Sequence, residues 1–348
     1  MPIDDEHLGA IASGKSTYAT WRDGHNLPVV TGFHIRNLLD VELAPWAWKG
    51  GRGAFLDLEG TDETNDSYLL ELAPRTESVP MRHIYEEMVY VIAGRGATKV
   101  WQDGGGSVSF EWQAGSLFAI PLNAHYQHFN TSGVESARFI SVTSGPLVIN
   151  LYHNLEFVFD CPFSFTDRFG GKPDYFSGEG RDLPGRIWDT NFIADVNSLP
   201  LKSWDERGSG STNRMLELSE SSMAAHISQF PVGTYKKAHR HGPGAHVIII
   251  DGEGYSLMWP EGSDIQKFDW QVGSLVVPPD QWFHQHFNTG KIPAKYLALR
   301  WNSKKYKVFK QYAVDLGVNA GGSQIETEDE DPRVREIFDA ELVRNGVR

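Results

Sequence analysis

The chain has 348 residues, enough for two domains of ordinary size. Hydrophobic residues make up 40% and charged residues 22%, the balance of a folded soluble protein, and a net charge of -13 argues against nucleic acid or an anionic membrane surface as partner. A single cysteine, Cys161, excludes an intrachain disulfide and fits a reducing, cytoplasmic setting. Residues 1–15 are polar and acidic without a signal-peptide core, and no apolar run is long enough to span a bilayer.

Along the chain, residues 1–49 read as an N-terminal arm. Residues 50–155 read as a first β-barrel, with short β-branched runs at 89–93, closed by Gly94-Arg95-Gly96, and at 117–121, closed by Pro121. Residues 156–211, rich in Asp, Gly and Pro, read as an ordered wrap with short helices. Residues 212–312 repeat the barrel pattern, with runs at 247–250, closed by Gly252-Glu253-Gly254, and at 275–279. Residues 313–348 form a tail whose Val334, Ile337, Phe338 and Leu342 have helical spacing after Pro332. The preferred reading is a helix that caps a barrel, and the acidic run 326–331 before it reads as a solvated loop.

The two barrel segments are copies of one unit. At one fixed offset, Gly94 falls on Gly252, Trp101 on Trp259, Phe110 on Phe268 and Trp112 on Trp270. Gly115-Ser116-Leu117 falls on Gly273-Ser274-Leu275, and Gln127-His128-Phe129-Asn130-Thr131 on Gln285-His286-Phe287-Asn288-Thr289. Many short strands at even spacing, bounded by Gly and Pro turns, define an all-β chain.

Within the second copy, His239-Arg240-His241 follows Gly233, Ala245 precedes Gly252, and Gly273, Pro279, His284 and Asn288 follow in order. Alternate residues of a strand share a face, so His239 and His241 point the same way, and His284 from another strand completes a triangle. Three neutral imidazoles suit Fe, Zn, Cu or Ni and leave open positions. These motifs resemble the two signatures of the cupin superfamily. The resemblance implies a bicupin: two tandem double-stranded β-helix (jelly-roll) barrels with short peripheral helices. It also implies one divalent metal per chain at His239, His241 and His284, with Fe(II) favoured over Mn, Ni or Zn, and a homodimer or higher homo-oligomer.

Many cupins add a Glu ligand, and here Ala245 takes that slot. The three-His pattern is similar to the gentisate and salicylate ring-cleaving dioxygenases, as is Trp282-Phe283-His284-Gln285-His286. That likeness implies an Fe(II) dioxygenase that cleaves a C–C bond of a small aromatic hydroxy-acid with O2. The alternatives are a non-oxidative metal cupin (decarboxylase, lyase or isomerase) and a non-catalytic ligand-binding bicupin. Those dioxygenases carry their site in the first barrel, the reverse of this order.

Further candidates surround the site. His246 lies one residue past the Glu slot; it points away if the strand is regular and becomes a fourth ligand if a bulge follows Gly242-Pro243-Gly244. His286 shares the face of His284 and could shuttle a proton, although His128 fills the same slot in the first copy. Gln229 stands on the preceding strand, at a position that often faces a cupin metal. Arg300 is the candidate clamp for a substrate carboxylate at the barrel mouth. His226 reads as core. In the first copy Met81 and Tyr126 replace two of the histidines while His83 and Glu87 remain, so this barrel reads as structural. No Walker A string or helix-opening Gly-x-Gly-x-x-Gly is present, and Cys161 has no basic neighbours to make it a nucleophile.

Overall fold

A computed structural model describes residues 14–301, 303–309 and 316–348. The start of the N-terminal arm and the expected boundary at 312–313 lie outside the described residues. The chain divides into two compact units: Met1–Val30 with Glu42–Asp57 and Glu63–Gly178, and Thr31–Val41 with Leu58–Asp62 and Glu179–Arg348.

In the first unit, strands Gly51–Leu58, Asp66–Leu72, Ala137–Thr143, Glu87–Ala93 and Leu117–Ile120 lie side by side in that order. A smaller sheet has Arg95–Trp101 between His125–Asn130 and Ser107–Gln113. Strand Ser107–Gln113 alternates strictly between exposed and buried, as a half-buried strand must, and its inward rings close the sandwich. Trp112 meets Phe139 of the large sheet at 4.8 Å, and Phe110 meets Phe118 at 5.0 Å.

The second unit repeats the plan. Thr212–Leu218, Met223–Phe230, Ala294–Trp301, His246–Asp251 and Leu275–Val276 form the large sheet, and Gly254–Trp259 runs between Gln266–Trp270 and Phe283–Asn288 in the small one. Its core joins Phe230, Val247, Ile249, Val276, Ala294, Tyr296 and Ala298 to Met258 and Trp270 of the small sheet. This is the all-β, tandem jelly-roll architecture expected of the repeat.

The repeated Gly-x-Gly has a steric cause. Gly94 and Gly252 hold φ of +85° and +79°, which disfavours side chains. At the second glycine a Cβ would lie 2.0 Å from the Phe129 carbonyl oxygen in one copy and 1.9 Å from that of Phe287 in the other. Both strands must pass too close to their neighbours for anything larger.

Segment 156–211 is more strand-like than its composition suggested. Gly180–Leu183 and Ile187–Thr190 form an antiparallel pair, and the latter runs parallel to Thr212–Leu218. The segment also holds helix Leu155–Phe159, short strands Phe192–Ile193 and Lys202–Ser203, and a 3-10 turn at Asp205–Arg207. The tail forms helix Pro332–Arg344, capped by Asp331, with Val334, Phe338 and Leu342 buried against Tyr255 and Phe287 of the small sheet. The acidic run before it is less free than expected. Glu330 accepts from Tyr235 Oη at 2.7 Å and Gln285 Nε2 at 2.8 Å, and Glu326 pairs with Lys237 at 2.6 Å. Among the described residues no helix is long and apolar enough to cross a membrane.

Candidate metal centre

Three histidines converge inside the second barrel. His239 and His284 face each other across a local antiparallel bridge, with N–H to O=C distances of 3.1 and 2.9 Å. One ring nitrogen from each of His239, His241 and His284 lies within 4.8 Å of the others. His284 is 2% exposed, while His239 and His241 keep some accessible surface. The trio therefore closes one side of a site and leaves another open.

The hydrogen bonds select the ligating nitrogens. His241 Nδ1 lies 2.7 Å from the Gly242 carbonyl and His284 Nδ1 lies 3.2 Å from that of Trp282. A carbonyl only accepts, so each Nδ1 carries the proton and each Nε2 presents a lone pair. Among the described residues His239 Nδ1 is buried with no hydrogen-bond partner. Burial pushes His241 down to about 4, and burial with the neighbouring cations and imidazoles pushes His239 and His284 well below the usual histidine range. All three are neutral at neutral pH, which is the metal-binding form. The donor set thus fits a divalent transition metal.

The remaining candidates lie outside the trio, His286 with its ring 5.8 Å from that of His284. In strand His246–Asp251 the register irregularity comes between Ile249 and Asp251, so no bulge re-aims His246. His246 pairs with Leu299, on the face opposite Val247, and is fully buried there outside the histidine group. Gln229 pairs with Lys295, whereas Ser228 and Phe230 pair with the core residues Tyr296 and Ala294. Strand alternation therefore turns Gln229 away from the interior and turns His226 inward, opposite Ala298. Gln229 thus faces away from where it was expected, while His226, read as core, does face inward.

Arg300 shares the inward strand face of Ala298 and has internal partners. Its Nε donates to His226 Nδ1 at 3.2 Å and its Nη1 to the Trp301 carbonyl at 3.0 Å. His286 Nδ1 meets Ser256 Oγ at 2.7 Å, and that oxygen accepts from Trp270 Nε1 at 3.0 Å. The first barrel repeats this trio with His128, Thr98 and Trp112 at 2.7 and 2.9 Å. A triad present in both barrels belongs to the scaffold, not to the metal-binding barrel alone.

In the first barrel the matching interior is filled by a hydrogen-bonded network. Tyr126, in the slot of His284, donates to Glu87 at 3.0 Å, and His83 Nε2 lies 2.9 Å from the same carboxylate. Tyr68 also donates to Glu87. Lys49 Nζ donates to Tyr68 at 2.7 Å and to Tyr126 at 2.9 Å. Burial alone would raise the Glu87 carboxyl, but Lys49 and the surrounding hydrogen bonds hold it well below the usual range. Lys49 supplies the buried positive charge that favours the Glu87 carboxylate.

Three cationic or basic residues escaped the sequence reading: Lys49, Arg207 and Lys236. The first two occupy equivalent slots at the repeat's offset, as do Trp46 with Trp204 and Tyr68 with His226. Extending the repeat upstream of Gly94 would have found them. Lys236 is 1% exposed, lies 4.7 Å above the Tyr296 ring and donates to Ser228 Oγ and Tyr296 Oη.

With this geometry in place, the chain has the bicupin fold. Solved structures similar to it include the oxalate decarboxylase of Lactobacillus farciminis in complex with formate. That likeness has a TM-score of 0.51 and 16% identity and covers 78% of this chain and 86% of that one. Another is the oxalate decarboxylase of Bacillus subtilis, an enzyme with Mn(II) centres, at TM-score 0.51 and 16% identity, covering 78% of each chain. At this identity the likeness speaks for the fold alone. Comparison with family models gives no match, and comparison with curated proteins gives none either.

Proposed function

We propose that the second barrel is a mononuclear metal centre that converts a small carboxylate without net oxidation, as a decarboxylase or related lyase. The observation that carries this reading is the compact, neutral trio His239, His241 and His284 with Ala245 in place of a carboxylate ligand. The similar structures named above are decarboxylases, and one holds Mn(II), which supports Mn(II) as the first metal to test. A bound divalent cation would act as a Lewis acid on substrate oxygen. His239, His241 and His284 would hold the cation, the last two through their Nε2 atoms, and burial keeps the imidazoles neutral, beside the apolar core that includes Val247 and Ala298. The first barrel, closed by Glu87, Lys49 and Tyr126, is the structural partner. A homodimer or higher assembly remains part of this proposal.

A second reading is kept because of Ala245. A ligand set without charge also suits an Fe(II) dioxygenase acting on an aromatic hydroxy-acid. The two differ in oxygen stoichiometry. Protein loaded with Mn(II), Fe(II) or Zn(II) is offered oxalate, malonate and hydroxybenzoates while CO2 release and O2 uptake are followed. Non-oxidative turnover releases CO2 with no matching O2 consumption and is lost in His284→Ala. One O2 consumed per substrate, with Fe(II) only, would establish the dioxygenase reading instead. A chain that takes up no metal would overturn both.

A further inference from the structure

We propose that His226 is a catalytic residue of the second barrel, donating from Nε2 to an oxygen of a carboxylate substrate seated where the Glu87 carboxylate sits in the first barrel. This rests on the metal-centre reading above and adds a substrate contact to it.

Placement comes first. His226 lies on strand Met223–Phe230 opposite Ala298, so it faces the barrel interior with Tyr296, whose ring centroid is 5.7 Å away. His241 is among the groups whose charge bears on His226. At the repeat's offset His226 matches Tyr68, His241 matches His83, His284 matches Tyr126, and Ala245 matches Glu87. The first barrel therefore displays what these positions surround. There, Tyr68 and Tyr126 donate to one carboxylate and His83 touches it. In the second barrel the carboxylate is gone, a methyl group stands at its root, and the residue in the Tyr68 slot is again a hydrogen-bonding side chain.

The tautomer is fixed next. A guanidinium has donors and no acceptor, so the contact from Arg300 Nε at 3.2 Å forces His226 Nδ1 to be the acceptor. Burial, with Arg300 and Lys236 nearby, drives the ring well below the usual histidine range, so it is neutral. The single ring proton must then sit on Nε2. In this state Nε2 cannot ligate a metal, which distinguishes His226 from the trio beside it, but it can donate. Among the described residues nothing accepts from Nε2, and His226 keeps accessible surface where Tyr68 is only 4% exposed. A histidine serving only to fill the core would have both nitrogens satisfied or sealed.

Asn and Gln separate the two nitrogens. Gln extends an N–H donor to about the reach of Nε2, whereas Asn stops near Nδ1. Wild type, His226→Asn and His226→Gln are loaded with Mn(II), metal content is measured, and each is titrated calorimetrically with oxalate, malonate and salicylate. In parallel, nitrogen-15 spectra of the metal-free full chain, with labelled histidine, report the tautomer. The expected results are equal metal content, an Nε2–H tautomer, and binding of at least one of the three acids that weakens about ten- to hundredfold in His226→Asn and recovers in His226→Gln. Equal affinity of wild type and His226→Asn overturns the proposal while leaving the metal centre intact. So does an Nδ1–H tautomer, or metal-loaded wild type that binds none of the acids. Absence of metal from wild type overturns the centre itself.

Discussion

Lys49→Met would test whether an ammonium does in the first barrel what a metal would do in the second. The substitution keeps most of the side-chain volume and removes the charge. It leaves Glu87, 0% exposed, with hydrogen bonds but without the cation that holds its carboxyl low. Breaking a buried charge pair by removing one member costs about 3–5 kcal/mol. The hydrogen bonds that Glu87 retains from Tyr68 and Tyr126 put the expected loss near the lower end, about 3 kcal/mol. With a urea slope of about 2–3 kcal/mol per molar, the midpoint should fall by about 1 M. Trp46 and Trp48, whose rings lie 5.9 and 5.5 Å from Lys49 Nζ, report the transition by fluorescence. The pH dependence gives a sharper signature. In the wild type the Glu87 carboxyl is held below its ordinary 4.5, so its contribution is present above that pH and fades as pH falls beneath it. In Lys49→Met, burial is opposed only by the hydrogen bonds from Tyr68 and Tyr126 and by His83, so the carboxyl rises. The fold then favours the protonated form, and stability is lost as pH rises through the new value. The deficit against wild type should therefore grow between about pH 4 and about pH 7. Lys49→Met/Glu87→Gln should recover at least half of it. A loss under about 1 kcal/mol at neutral pH, or a deficit independent of pH, would refute the reasoning.

Other substitutions address the second barrel. His284→Ala should lower bound metal to traces and His83→Ala should leave it unchanged, as read by elemental analysis of desalted protein; retention in His284→Ala rejects the site. Ala245→Glu restores a carboxylate at the inward slot that Glu87 holds in the first copy. It should slow metal loss to a chelator by about tenfold or more and suppress turnover, because the new ligand takes a position that substrate needs; no change in either shows that the slot faces elsewhere. Ser256→Ala and Thr98→Ala each remove the hydroxyl that joins a tryptophan to a histidine, so each should cost about 1–3 kcal/mol of stability with metal content unaltered. Loss of metal in Ser256→Ala would return His286 to the functional site.

The sequence carried the barrels and the histidine trio because both depend on local rules. Alternation puts His239 and His241 on one face, and glycines such as Gly96 and Gly254 are forced by close backbone passage, so the repeat preserves them. What failed was parity on a strand with no marker of its own. Nothing in Met223–Phe230 says which of His226 and Gln229 looks inward, because apolar residues occupy both faces of a strand buried on both sides. Only the register against Ala294–Trp301 decides it. Arg300 shares the inward strand face of Ala298, and its Nε contact with His226 could not be read from the sequence. Lys49 and Arg207 lay outside the signature motifs, in the arm and wrap, where an untrimmed repeat would have paired them, while Lys236 stood within the first motif between Gly233 and His239.

The divergence of the two barrels follows a single electrostatic logic. The first barrel has two inward carboxylates, Glu87 and Asp66, and Lys49 among them. Asp66 is buried enough for its carboxyl to rise to about 6, even with Thr143 and Tyr18 donating to it. At the repeat's offset both acids become alanines in the second barrel, Ala245 and Ala224, while Arg207 takes the Lys49 slot and Lys236 enters beside Tyr296. Removing one acid could be drift, but removing both while keeping a basic residue in the Lys49 slot changes what the interior can hold; burial holds the added Lys236 well below the usual lysine range, and the buried Glu217 carboxylate bears on Arg300. The first interior supplies its own anion and has no use for another. The second has a neutral metal-ligand set, and basic residues are added around it. A cation bound there by three imidazoles would make it more positive still, and burial makes such charge costly unless an anion arrives with it. A carboxylate substrate supplies that charge at the place where the first barrel keeps Glu87. The same argument explains why an acidic protein, with a net charge of -13, can still admit an anion: the surface sign and the interior sign are set by different residues.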